Sequence, residues 1–131
     1  MTVDEELVAA ALDARRLAYA PYSKFTVGAA VRARDGRVFV GANVENASYG
    51  LAICAERAAV VAAVLAGARE LIGAAVATTT SPPASPCGMC RQTLIEFASD
   101  MPVVLVSDGE RIVTRLAELL PGAFRGEELR R

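Results

Sequence analysis

Hydrophobic and polar residues follow two rhythms along this chain. In "DEELVAAALDARRLAY" (4–19) the apolar positions recur at helical spacing. Asp4 is placed to cap that segment and acidic residues crowd its positive end, which predicts a first helix. Pro21 breaks the pattern. "TVGAAVRAR" (26–34) and "RVFVGANV" (37–44) predict two strands, with Asp35-Gly36 between them as a two-residue hairpin signal. Residues 54–66 predict a second helix that Gly67 can end. "LIGAAVATT" (71–79) has the composition of a buried strand. After the proline-rich "TSPPASP", a third helix is predicted over 87–98, with Pro86 at its opening. "PVVLVS" (102–107) and "RIVT" meet at Asp108-Gly109, a second hairpin signal, and "RLAELL" predicts a short helix. No repeat or linker divides the chain. The order α-β-β-α-β-α-β-β predicts one domain over 1–131, a sheet of about five strands with helices on its faces.

Composition narrows the function. Apolar residues make up 53% of the 131 residues, enough for a real core. The net charge of −1, with Lys24 the single lysine, gives no electrostatic footprint for general nucleic-acid binding. No apolar run approaches the ~20 residues that span a bilayer, and the acidic start lacks the features of a signal peptide. The expectation is a cytoplasmic protein with neither a membrane nor a nucleic-acid partner. Three cysteines and no histidine are present. Acid–base chemistry near neutral pH must then use another group, and a metal must be held by sulfur or oxygen.

That absence directs attention to "ICAERAAVVAAV" (53–64), where Cys54, Glu56 and Arg57 head an otherwise apolar helix. Charge buried there is costly unless it is paired or has a task. Cys87 and Cys90 form a C-x-x-C at the start of another helix. Helix N-termini favour thiolate, and three thiolates converging on one point suggest zinc. Three protein ligands leave a fourth position for water, the pattern of a catalytic site. The formal excess of negative charge gives Arg57 a task, donating hydrogen bonds to the cysteine sulfurs from behind the ligands. Glu56, two residues beyond Cys54, can meet the bound water only if the metal lies off the helix tip, and there it can carry protons.

C-A-E at 54–56 followed by P-C-x-x-C at 86–90 resembles the zinc-deaminase signature in its three-cysteine form. More narrowly, "YAPYSKFTVGAA", "GANVENASYG", "CAERAA", "SPCGMCRQ" and "LLPGAF" resemble segments of the small homotetrameric cytidine deaminases. The resemblance implies a three-layer α/β/α sandwich around a mixed sheet, with one Zn²⁺ per subunit. It implies hydrolytic deamination of cytidine and deoxycytidine in pyrimidine salvage, through zinc-activated water and a proton shuttle at Glu56. It further implies that Asn43 and Glu45 hold the ribose, Phe25 packs on the base, and the N–H of Ala55 meets the ring's 2-oxo group. Ala47, Tyr49 and Phe124 are implied to reach into a neighbouring subunit's pocket.

Other readings remain at this stage. A strand, C-x-x-C and helix also suit a thioredoxin-like redox site, which leaves Cys54 and Glu56 without a role. Asn43 and Glu45 suit a simple turn, and Phe25 a core position. Deamination of another cytosine-bearing molecule such as blasticidin S, editing of nucleic acid, and a non-catalytic zinc-stabilised module are the rival functions.

Overall fold

The computed structural model describes residues 3–129. The helices are α1 (Glu5–Arg15), α2 (Ala55–Leu65), α3 (Gly88–Glu96) and the short α4 (Leu116–Leu119). The strands are β1 (Gly28–Ala33), β2 (Val38–Ala42), β3 (Leu71–Ala77), β4 (Pro102–Ser107) and β5 (Glu110–Arg115). They form one mixed sheet in the order β2-β1-β3-β4-β5, in which only β3 and β4 run parallel.

Period-two alternation divides the central strands between two cores. Ala29, Val31, Ala74, Val76, Val103 and Leu105 point toward α2 and α3. Ala30, Ala75, Ala77, Val104 and Val106 pack with Leu7, Val8 and Ala11 of α1 on the other face. The result is the three-layer sandwich with a mixed five-stranded sheet that the resemblance implies.

Three local expectations are corrected. The first helix stops at Arg15 instead of reaching residue 19. Tertiary pairing wins there: Tyr19 N–H donates to Asn43 O (2.9 Å) and Glu45 N–H donates to Tyr19 O (2.8 Å). The Asp35-Gly36 turn carries three residues, not two. Ala33 N–H reaches Arg37 O at 2.9 Å, enclosing residues 34–36, and Gly36 supplies φ +97°. Strand pairing between β1 and β2 ends at Gly28 and Ala42: one step beyond, Asn43 N–H still donates to Val27 O (3.2 Å), but the Val27 N–H turns to the Asn43 side chain and the Asn43 carbonyl to Tyr19. The Asp108-Gly109 hairpin holds as read, with Ser107 opposite Glu110. Gly67 ends α2 at φ +92°, with Ala68 N–H bonded to Ala63 O.

Close backbone packing fixes where α2 lies. A methyl group added at Gly41 in β2 would fall 2.5 Å from both Ala55 O and Ala59 N. Only a residue without a side chain lets the first turn of α2 rest on the sheet at that height. Gly41→Ala is therefore expected to destabilise the fold by about 1–3 kcal/mol or more, since neither backbone can give way. Its thermal midpoint checks this; an unchanged midpoint contradicts the packing argument.

Candidate active site

Cys54 and Cys87 are the N-cap residues of α2 and α3. Their extended backbone angles (φ −74°, ψ 151° and φ −68°, ψ 170°) release each side chain just ahead of its helix. Neither side chain caps its own helix. The first-turn N–H groups and the positive dipole ends are thus free to stabilise negative charge. Cys90, in the first turn of α3, is fully buried.

The three sulfurs converge. All lie within 4.8 Å of one another, and Cys87 Sγ is 3.4 Å from Cys90 Sγ. Tetrahedral zinc with Zn–S bonds of about 2.3 Å would hold sulfurs about 3.8 Å apart. Soft donors at this spacing fit zinc, and a third sulfur at the same point is what a two-cysteine redox site lacks. Burial pushes the Cys54 and Cys90 thiols up. For Cys87 burial also acts upward, but the Cys90 N–H, the other two thiols and the Met89 N–H outweigh it and bring the thiol down. A bound divalent cation would hold all three ionised.

Glu56 is 6% exposed and does not join the sulfur cluster. Burial raises its pKa above the ordinary carboxylate range, opposed by its own N–H, the Cys90 thiol and Arg57. Arg57 makes no hydrogen bond to a sulfur here. Its Nη2 donates to Ala52 O at 3.2 Å, and its buried Nε–H has no partner. An orphan donor beside Glu56 is consistent with a site that gathers anions.

Cys54, Cys87 and Glu56 border a cavity of about 230 Å³, which Cys90 and Arg57 do not line. Phe25, Asn43, Glu45, Cys54, Ala55, Glu56 and Cys87, all singled out from the sequence, line it. Val76, Thr78, Ala84 and Ser85 line it too and were missed. Their signal was positional: a strand's C-terminal end and the loop after it are where open α/β sheets bind ligands. Ala47, Tyr49 and Phe124 do not line this cavity. Tyr49 is 77% exposed and Phe124 53% exposed. The Tyr49 ring meets Tyr22 edge-on, centroids 6.0 Å apart, beside an adjoining hollow that shares Glu45. A larger groove of about 480 Å³ runs past Arg34, Glu70 and Arg125. It contains neither a thiol nor a buried carboxylate, so its size does not make it the reactive site.

Asn43 and Glu45 shape the cavity mouth. Asn43 Oδ1 accepts from Val27 N–H and Nδ2 donates to Phe25 O, each at 2.8 Å, which spans Thr26 and fixes the carbonyl side of Phe25, while the Phe25 N–H donates to Ser23 Oγ at 3.0 Å. Glu45 Oε1 accepts the N–H groups of Tyr22 (2.9 Å) and Ser23 (3.2 Å), while Oε2 accepts the Ser23 hydroxyl. The Ser23 hydroxyl first, with those backbone bonds, holds the Glu45 carboxyl below its ordinary range. It is ionised at neutral pH and retains acceptor capacity.

Comparison with known proteins agrees with this geometry. A family model for the cytidine and deoxycytidylate deaminase zinc-binding region matches residues 1–107. The cytidine deaminase of Sporosarcina psychrophila is 48% identical over 127 residues, covering 95% of this chain and 93% of that protein. The cytidine deaminase of Halalkalibacterium halodurans is 46% identical over 125 residues, covering 94% and 95%. The crystal structure of cytidine deaminase from Burkholderia pseudomallei superposes with a TM-score of 0.88 at 49% identity, covering 94% of this chain and 100% of that one.

Removing one sulfur tests the cluster. Cys90→Ser is expected to lower bound zinc from about one ion per chain to near zero and to reduce the melting temperature of the zinc-loaded protein. Metal analysis with a thermal melt checks it; full zinc retention contradicts convergence of the three ligands.

Proposed function

This chain belongs to the cytidine and deoxycytidylate deaminase family, and on that premise we infer that its three-thiol cavity performs hydrolytic deamination of cytidine and deoxycytidine to uridine and deoxyuridine, with release of ammonia. The observation that carries this reading is the meeting of Cys54, Cys87 and Cys90 beside a buried carboxylate in a nucleoside-sized cavity. Cys54, Cys87 and Cys90 hold the zinc, which when bound supplies a Lewis acid that makes water nucleophilic near neutral pH.

The remaining work falls to side chains of this chain. Glu56 accepts a proton from the attacking water and delivers it to N3 of the cytosine ring, then takes the remaining proton of the added hydroxyl and passes it to the departing amine as the C4 carbonyl forms. Its burial suits that duty, because a carboxylate of raised pKa is a stronger base and takes up the water's proton more readily. The Ala55 N–H, at the positive end of α2, binds the ring's 2-oxo group. Phe25 packs on the base, its carbonyl held by Asn43 and its N–H by the Ser23 hydroxyl. The unused lone pairs of Glu45 accept a ribose hydroxyl, and the second Nδ2 hydrogen of Asn43 donates to one. Arg57 acts on Glu56 through its charge, favouring the carboxylate form.

The working unit in this reading is a homotetramer of single-domain subunits (1–131). Ala47, Tyr49 and Phe124 complete a neighbour's pocket. Supporting this are the exposure of both aromatic rings and the apolar surface around them, with Val44, Leu51 and Ile53 also uncovered. No helix among the described residues is long and apolar enough to cross a membrane. We assign the enzyme to the cytoplasm, where a reducing environment preserves three free thiols, and to pyrimidine salvage.

Glu56→Gln keeps the size of the side chain and removes its proton-carrying capacity. It is expected to lower kcat roughly 10²–10⁴-fold while zinc content and uridine affinity stay near wild type. Normal turnover, or loss of zinc, contradicts the role. Sedimentation is expected to show a tetramer. Phe124→Ala should raise KM for cytidine several-fold; a fully active monomer excludes the shared pocket.

A further inference from the structure

Thr78 is 2% exposed at the end of an otherwise apolar strand, and the chemistry above gives it nothing to do. A hydroxyl there is costly unless its hydrogen bonds are made. It makes them with the loop that leads to Cys87. Thr80 Oγ1 donates to Pro82 O at 2.8 Å, which uses its single proton. The 3.3 Å contact between the Thr78 and Thr80 hydroxyls therefore has Thr78 as donor. The Ala84 N–H donates in turn to Thr78 Oγ1 at 3.1 Å. All three bonds point one way: Ala84 N–H to Thr78 hydroxyl, Thr78 to Thr80, Thr80 to the Pro82 carbonyl. Such a chain is mutually polarising.

The loop has little else to hold it. Among the described residues, no main-chain to main-chain hydrogen bond ties positions 79–86. The second half is braced by Arg91, whose Nε donates to Pro86 O at 2.8 Å and Nη2 to Ser85 Oγ at 3.0 Å. The first half depends on the hydroxyl relay and on Ser81 against Glu110. Thr78 itself is immobilised. Its N–H donates to Val106 O at 2.9 Å, extending the parallel pairing of β3 and β4, and its carbonyl accepts Arg15 Nη1 at 2.5 Å. The relay thus joins the rigid sheet to a wall of the reactive cavity, for Thr78, Ala84 and Ser85 all line it.

We propose that Thr78 is a positioning residue, whose hydroxyl relay folds the 79–84 loop onto the end of β3 and sets the cavity wall that the nucleoside meets. The inference rests on the deaminase reading of the cavity. It assigns Thr78 to substrate binding through Ala84 and Ser85, not to proton transfer. Loss of the relay then weakens ground state and transition state alike, which raises KM and spares kcat.

The test compares Thr78→Val, which keeps shape and removes the hydroxyl, with Thr78→Ser, which keeps the hydroxyl. For Thr78→Val the expected result is a KM for cytidine raised about tenfold, with kcat within about threefold. Zinc per chain should be unchanged, and the Ala84 amide should exchange hydrogen faster. Thr78→Ser should restore KM to within about twofold of wild type. An unchanged KM or unchanged Ala84 exchange in Thr78→Val overturns the proposal, as does a serine variant as impaired as the valine one. Should Thr78→Val fail to fold, Thr80→Val breaks the next link from an exposed position, and an unaltered KM there overturns the proposal equally. A wild-type protein that does not turn over cytidine defeats the deaminase reading instead, and Ala84 exchange then decides whether the relay holds the loop.

Discussion

Two helix tips brought side by side at one end of a sheet are the constraint on which everything else depends. Helices α2 and α3 come from different parts of the chain, yet Cys54 and Cys87 cap them in nearly the same extended conformation and face a common point. The parallel pairing of β3 with β4 requires a crossover between them, and α3 supplies it. α2 is fixed separately, by resting on the bare backbone of Gly41. A small displacement of either helix would separate sulfurs that must lie within a few ångströms of one another.

The electrostatics of the site follow from that placement. Without histidine, the chain must combine soft anionic ligands with a carboxylate that can hold a proton. The helix tips favour the thiolates, and burial serves the carboxylate. It raises Glu56, while exposed N–H groups and a neighbouring guanidinium moderate the accumulation of negative charge. Glu45 shows the opposite treatment with the same chemical group. At the solvent-facing mouth, three donors from residues 22 and 23 keep it ionised. Two carboxylates in one cavity are thereby prepared for different tasks.

Polar side chains, not strand ladders, hold the walls between these groups. The Asn43 side chain takes the Val27 N–H where the β1–β2 pairing stops and, with its bond to Phe25 O, spans Thr26. Thr78 takes over where β3 stops and gathers the proline-rich loop, and Arg91 braces the next stretch down to Pro86. Asn43 and Thr78 lie just past the ends of β2 and β3, where main-chain groups would otherwise go unpaired, and Arg91 reaches back from within α3. The same contacts that complete the fold's hydrogen bonding thus shape the pocket.

Local signals determined the element types and their order. Helical spacing, apolar strands, Asp4, Gly67 and the Asp108-Gly109 turn act over a few residues, and tertiary contacts altered only the ends. The chemistry was legible for a similar reason: three cysteines, no histidine and a glutamate two residues after one cysteine leave few arrangements. What tertiary structure alone decided was the curtailed first helix, the strand ladders yielding to Asn43, and the recruitment of Thr78, Ala84 and Ser85 to the cavity. Those outcomes depend on hydrogen bonds between segments tens of residues apart, such as Arg15 to Thr78 and Tyr19 to Asn43. A period or a short motif carries no trace of such a partner, because the partner is set only when the sheet and its two helix layers close on one another.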